Sequence, residues 1–204
     1  MIIRKLFKFE ASHMVRNCTT KRCSTSLHGH SFRVEIFLES DQLDFGGMVA
    51  DFGIVKMFLN DFIDSFDHCY MLWDKESDEV KESIKKLSAR WIELPMSPSA
   101  ESLSIMFYWV IDQIINNIRF ANGEEGVTLY AVRVHETDTG YAEARFEDLA
   151  LTIGYELEDI KFSDQVRIEW KDKKWWYDLL EGAIFEAPKP IHQINPSLNE
   201  THIL

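Results

Sequence analysis

The sequence predicts an α+β fold for residues 1–155, and three observations carry that prediction. Alternating apolar and polar residues mark strands near both ends of this stretch. Apolar residues recurring at spacings of three and four mark helices in its middle. The resulting order is β, β, α, α, α, β, β, in which strands and helices are segregated, and this excludes an alternating α/β design. Residues 156–204 change in character and are read as a Trp-rich C-terminal extension.

Residues 2–12 place Ile3, Phe7, Phe9 and Ala11 on one parity and Arg4, Lys8, Glu10 and Ser12 on the other. That is the pattern of a half-buried strand, and it delivers His13 at its end on the apolar parity. Residues 14–27 are polar, rich in Ser and Thr, and read as a loop. From His30 onward, Phe32, Val34, Ile36 and Leu38 alternate with Ser31, Arg33, Glu35 and Glu39. A turn at DQLDFGG leads to a helix over 53–64, built on Ile54, Val55, Phe58, Leu59 and Phe62. A second helical pattern runs through Val80, Ile84, Leu87 and Trp91. The third is the strongest, through Leu103, Met106, Phe107, Val110, Ile114, Ile115 and Ile118. Its start is marked by Ser97-Pro98-Ser99-Ala100-Glu101, which combines capping hydroxyls, a proline and an early acid, and Asn122-Gly123 ends it. Strands follow at 127–136 and 142–154, joined by Thr137-Asp138-Thr139-Gly140. The extension carries Trp170, Trp175, Trp176, Pro188 and Pro190, with one helical piece around 173–185.

At 204 residues the chain can bury roughly 70% of its unfolded surface. Apolar residues make up 46% and charged residues 27%, which excludes a disordered chain. Lys and Arg number 22 against 34 Asp and Glu, a formal charge of −12 that disfavours nucleic-acid partners. No apolar run is long enough to span a membrane, and MIIRKLFKFEASH lacks the apolar stretch of a signal peptide. Three cysteines, Cys18, Cys23 and Cys69, are too few for a disulfide scaffold, so the expected compartment is the cytoplasm.

His28-Gly29-His30 is the most informative tripeptide. Two residues apart on a strand, both imidazoles project from one face, and His13 ends the neighbouring strand on a matching parity. Three neutral imidazoles with one open position form the ligand set of a catalytic zinc site. The plain alternative is a group of surface or core histidines. Asp67-His68 follows the first helix and could act as a proton relay, or simply cap that helix. Cys23 could be a thiolate base, a fourth zinc ligand or an inert loop thiol, and Cys18 is open to the same readings. Glu136 ends a strand, where a carboxylate is usually solvated; if recessed, it suits a bidentate pairing with an amino-heterocycle.

Taken in order, these pieces resemble the 6-pyruvoyl-tetrahydropterin synthase/6-carboxytetrahydropterin synthase family. The resemblance is carried by Phe9-Glu10-Ala11-Ser12-His13, the stretch from Cys23 to Phe32, Gly47-Met48-Val49-Ala50-Asp51-Phe52, Phe66-Asp67-His68, Pro98-Ser99-Ala100-Glu101-Ser102-Leu103 and Val134-His135-Glu136-Thr137. It implies the tunnelling fold: a four-stranded antiparallel sheet with helices on one face, assembled as a homo-oligomeric barrel with active sites between subunits. It also implies His13, His28 and His30 as ligands of Zn2+, Cys23 as the catalytic thiol and Asp67 with His68 as the proton relay. Glu136 is similar to the residue that anchors the pterin, helped by the segment of Ser99 and Ala100. The implied activity is a zinc-dependent carbon–carbon lyase of the queuosine route, acting on 7,8-dihydroneopterin triphosphate. Four residues separate Cys23 from His28, between the spacings of the carboxy-forming and pyruvoyl-forming members, so Cys18 and the sister synthase stay open. Two further alternatives are a structural-zinc module and an interaction protein using an exposed aromatic tail. Arg16, Lys21, Arg22 and Arg133 are candidates to attract the triphosphate.

Overall fold

The computed structural model describes residues 1–191, so residues 192–204 of the expected extension lie outside the described region. The alternating N-terminal segment forms β1 (Ile2–His13) and pairs antiparallel along its length with β2 (His28–Glu39). A short helix, α1 (Lys21–Thr25), interrupts the expected loop between them. Next come α2 (Phe52–Asp64), β3 (Cys69–Trp73), α3 (Asp78–Leu87), β4 (Trp91–Leu94) and α4 (Ala100–Asn116). The chain continues through β5 (Ile118–Arg119), β6 (Thr128–Thr137), β7 (Gly140–Ala144), β8 (Lys161–Phe162), α5 (Asp164–Glu169), α6 (Trp175–Leu180) and β9 (Phe185–Glu186).

The predicted four-stranded antiparallel sheet is present as β7-β6-β2-β1, but it is one part of a seven-stranded mixed sheet in the order β7-β6-β2-β1-β3-β4-β8. β3 joins β1 in parallel through Ala11, Ser12 and His13, and β4 then joins β3 in parallel. Both are short runs of buried residues with no alternation to read, which is why they escaped pattern analysis. The second helical pattern stops at Leu87, and Trp91 opens β4 instead. The expected strand over 142–154 is confined to β7, and Phe146–Thr152 forms a 3-10 helix.

The odd residues of β1 and the even residues of β2 share one face. There Phe7, Phe9, Phe32, Val34, Ile36 and Leu38 pack with Val55, Leu59, Phe62, Phe107 and Ile111 of α2 and α4. As expected, a hydroxyl caps α4, with Ser99 accepting from the Ser102 amide; Asp51 accepts from the Gly53 amide to start α2. The other sheet face is polar. On it Glu35 is buried and gathers Arg4, Arg133 and, at 3.0 Å, His135.

Residues 160–179 join this same core. Ile160, Phe162, Val166, Trp170, Trp175, Trp176 and Leu179 are all buried in it. Trp175 packs at 6.1 Å between ring centroids from Phe62 of α2 and at 5.3 Å from both Trp170 and Trp176. The three tryptophans therefore bury their rings rather than offer a partner surface. Among the described residues, no helix is long and apolar enough to cross a membrane.

This packing gives a testable expectation. Trp175→Ala should lower stability by about 3–5 kcal/mol, as removal of a buried aromatic does, and unfolding in urea should remain a single transition. Separate transitions for the extension and the sheet would show that they do not share a core.

Candidate metal centre

The β1–β2 ladder sets the site. Its register places His13 opposite His28 and Ala11 opposite His30, so three imidazoles converge on the helix-covered face. Ring centroids are 4.7 Å apart for His13–His28, 5.3 Å for His13–His30 and 5.1 Å for His28–His30. Gly29 lets the strands close here. A Cβ at that position would lie 3.1 Å from the Ala11 carbonyl oxygen, tighter than ordinary contact.

The orientation of the rings is fixed from behind. His13, fully buried, has its Nδ1 at 2.7 Å from the Pro98 carbonyl, and His28 has its Nδ1 at 2.9 Å from the Ser26 carbonyl. A carbonyl oxygen only accepts, so each Nδ1 carries a proton, and in the neutral ring Nε2 has the lone pair. The Nε2 atoms of His13, His28 and His30 are all buried and none has a hydrogen-bond partner. Three buried lone pairs aimed at one point are costly unless something occupies that point. Burial also lowers the pKa of His30, which favours its neutral, ligating form.

Glu136, from β6, completes the group. One ligand atom from each of His13, His28, His30 and Glu136 lies within 4.8 Å of every other. Its Oε1 is 3.2 Å from Nε2 of both His13 and His30. Contact with His13 holds the Glu136 carboxyl below the usual range against the opposing effect of burial. This side chain, read from sequence as a ring anchor, is thus turned toward the imidazoles. The donor set of imidazole nitrogens with a carboxylate suits a divalent metal such as zinc.

Neither candidate thiol, Cys23 or Cys18, belongs to that group. Cys23 sits in α1, half-buried, and its loop is tied down by Val15 donating to the Cys23 carbonyl at 3.0 Å and by Arg16 donating to the Ser24 carbonyl at 2.8 Å. Burial, with Cys18 and Glu136 nearby, pushes the Cys23 thiol up, and the Lys21 and Arg22 side chains are exposed. Cys69 is buried in β3, and its thiol is pushed well up by burial.

Asp67 and His68 form a tight pair, with Asp67 Oδ2 at 2.9 Å from His68 Nδ1. The Glu10 amide donates to Asp67 Oδ1 at 2.8 Å, and the His68 amide donates to the Glu10 carbonyl at 2.6 Å. His68 holds φ at +52°, a left-handed conformation unfavourable for a side-chain-bearing residue. Its ring is largely exposed and borders a cavity of about 370 Å3 whose walls include Glu10, Ser12, Gly29, Ser31 and Ser88. Those even residues of β1 and odd residues of β2 belong to the sheet face opposite the three imidazoles.

Ser99 spends its hydroxyl on capping α4, and Ala100 is the first residue of that helix. Their segment touches the metal cluster through the Pro98 carbonyl. That contact is made by backbone, so no residue pattern could have announced it; the same holds for the Ser26 carbonyl. Of the candidate triphosphate partners, Arg133 is paired with Glu143 at 2.5 Å and Arg16 with Glu76 at 2.6 Å. Lys21 and Arg22 have no ion pair among the described residues.

Comparison with known proteins places the chain among pterin synthases. The family described as 6-pyruvoyl tetrahydropterin synthase matches residues 2–147. A 6-carboxy-5,6,7,8-tetrahydropterin synthase of Helicobacter pylori strain J99 is 39% identical over 199 residues, covering 95% of this chain and 100% of the relative. One of Aquifex aeolicus, named for the same activity, is 32% identical and covers 71% of this chain and 98% of the relative. Among solved structures, an uncharacterized protein from Wolinella succinogenes has a TM-score of 0.56 at 20% identity, covering 72% of this chain and 98% of that one. The 6-pyruvoyl tetrahydropterin synthase of Caenorhabditis elegans has a TM-score of 0.51 at 18% identity, covering 71% and 94%.

Calorimetric titration with Zn2+ should give one ion per chain, and His28→Ala should weaken binding at least about 100-fold. Affinity should fall as pH drops through the lowered pKa of His30, where that imidazole takes a proton in place of the metal. Zinc binding unaffected by both changes would place the ion elsewhere.

Proposed function

Because the chain belongs to the 6-pyruvoyl tetrahydropterin synthase family, we propose that it acts as a 6-carboxy-5,6,7,8-tetrahydropterin synthase of the queuosine route. It converts 7,8-dihydroneopterin triphosphate to 6-carboxytetrahydropterin, acetaldehyde and triphosphate. The observation that carries the choice of product is the end-to-end match with a relative named for it. The convergent, unpartnered Nε2 atoms supply the matching chemistry.

His13, His28 and His30 would hold zinc, which when bound supplies a Lewis acid for the side-chain hydroxyls of the substrate. Glu136 keeps a negative charge beside the imidazoles. Cys23 serves as the proton acceptor in its thiolate form, outside the ligand group but near enough to Glu136 to feel its charge. A cation held by the imidazoles would favour the thiolate form in which Cys23 acts as a base. Asp67 fixes the His68 ring through Nδ1, leaving Nε2 to pass a proton. The segment of Ser99 and Ala100 offers backbone groups to the ring, because the Ser99 hydroxyl is engaged and Ala100 has none. Lys21 and Arg22 are free to meet the triphosphate against the net charge of −12.

Within one chain the relay and the imidazoles occupy opposite sheet faces, so the working site draws His68 from another copy. The sheet edges fit such an assembly. Among the described residues, the outer edge of β1 over residues 2–9 carries no strand, and β7 is an edge of the sheet. A homo-oligomer with sites between subunits follows. The main rival is the pyruvoyl-forming synthase, which shares the family and the same residues.

Mass-spectrometric product analysis of the zinc-loaded protein should show acetaldehyde and the carboxytetrahydropterin. Cys23→Ala should abolish turnover with zinc retained. A pyruvoyl product would move the chain to the sister activity, no turnover would favour the structural-zinc reading, and loss of zinc would make Cys23 a ligand.

A further inference from the structure

The chain leaves α2 through a turn that ends in Asp67 and His68, and that turn is held by a single guanidinium. Arg90 precedes β4 and donates from Nε to the Asp67 carbonyl at 2.8 Å. From Nη2 it donates to the Asp64 carbonyl at 2.8 Å and to the Ser65 carbonyl at 3.4 Å. A helix end leaves carbonyls without partners, and a planar fork of donors meets several at once, which a lysine ammonium does not. The remaining nitrogen, Nη1, is ion-paired with Glu169 of α5, in the C-terminal extension.

The extension grips the same turn at two more points. Trp170 Nε1 donates to Ser65 Oγ at 2.8 Å inside the core. The amides of Lys171 and Asp172 donate to the two carboxylate oxygens of Asp61 at 3.1 and 2.8 Å. Asp64, Asp67, His68, Arg90 and Glu169 together line a cavity of about 230 Å3. His68, at φ +52°, keeps its conformation only where the surrounding contacts outweigh the strain. Those contacts come from Glu10 on one side and from Arg90 on the other.

We propose that the C-terminal extension is a positioning element for the proton relay, with Arg90 and Glu169 as positioning residues that set the direction of the His68 ring. This rests on the reading of Asp67 and His68 as the relay. It gives the extension a task at the active site beyond closing the core, through a contact that a chain ending near residue 155 could not make.

Two variants test it: Glu169→Gln, which keeps the volume and removes the charge, and Arg90→Lys, which keeps the charge and removes the fork. Each should lower kcat about three- to tenfold while KM, zinc content and the cooperative unfolding transition stay near those of the parent chain. Imidazole NMR gives a readout that needs no turnover. The His68 signals, assigned with His68→Ala, should show one tautomer in the parent chain and averaging between tautomers in both variants. Unchanged kcat with unchanged His68 signals would overturn the proposal, as would a loss of zinc and of cooperative unfolding together. If the parent chain shows no turnover but the His68 signals still respond, the positioning stands and the assigned reaction falls.

Discussion

The antiparallel ladder between β1 and β2 governs everything built on it. Twelve residue pairs run from Ile2–Glu39 to His13–His28, and the hydrophobic face of both strands fixes their register. A slip of one residue would turn Phe32, Val34 and Ile36 toward solvent and carry His28 and His30 with them. The core therefore specifies the metal centre: the parity that buries the phenylalanines is the one that aims the imidazoles. Gly29 allows the closest approach at the end of the ladder, and the carbonyls of Ser26 and Pro98 then choose the tautomer. The Pro98 carbonyl comes from the loop that starts α4, so seating that helix and orienting His13 are one event.

The same period of two sends other groups to the far face. Glu10 and Ser12 alternate with Ala11 and His13, and the His68 ring borders a cavity walled by Glu10, Ser12 and Ser31 on the face away from the imidazole rings. Under the proposed function, a second copy of the sheet would present the complementary half of the site. Among the described residues, the edge of β1 over residues 2–9 and the edge of β7 carry no further strand. Strand register and two carbonyl contacts fix the imidazole cluster, whereas the Asp67–His68 turn is held by Arg90 and the extension.

Much of the site could be read from the chain itself. Alternation located β1 and β2, and with them the common parity of His13, His28 and His30; spacing also located α2 and α4. Legibility failed where the physics is not periodic. β3 and β4 are too short and too buried to alternate, and β8 is two residues long. The tryptophans of the extension advertised burial but not against what, since the contact with Phe62 spans more than a hundred residues. Glu136 was legible as a carboxylate at a strand end, but its turn toward the imidazoles depends on the pairing of β6 with β2. The ring-orienting groups are peptide carbonyls, which any sequence possesses, and Arg90 resembles any loop arginine until the end of α2 is placed beside it.

The most direct test mixes two inactive chains. One carries His28→Ala and lacks the metal centre; the other carries His68→Ala and lacks the relay. Equal amounts co-assembled in the presence of zinc should recover about a quarter of the parent turnover, since random mixing pairs an intact metal centre with a neighbour's intact relay at that frequency. Mixed oligomers that form, bind zinc at their intact centres and recover nothing would contradict a site shared between subunits.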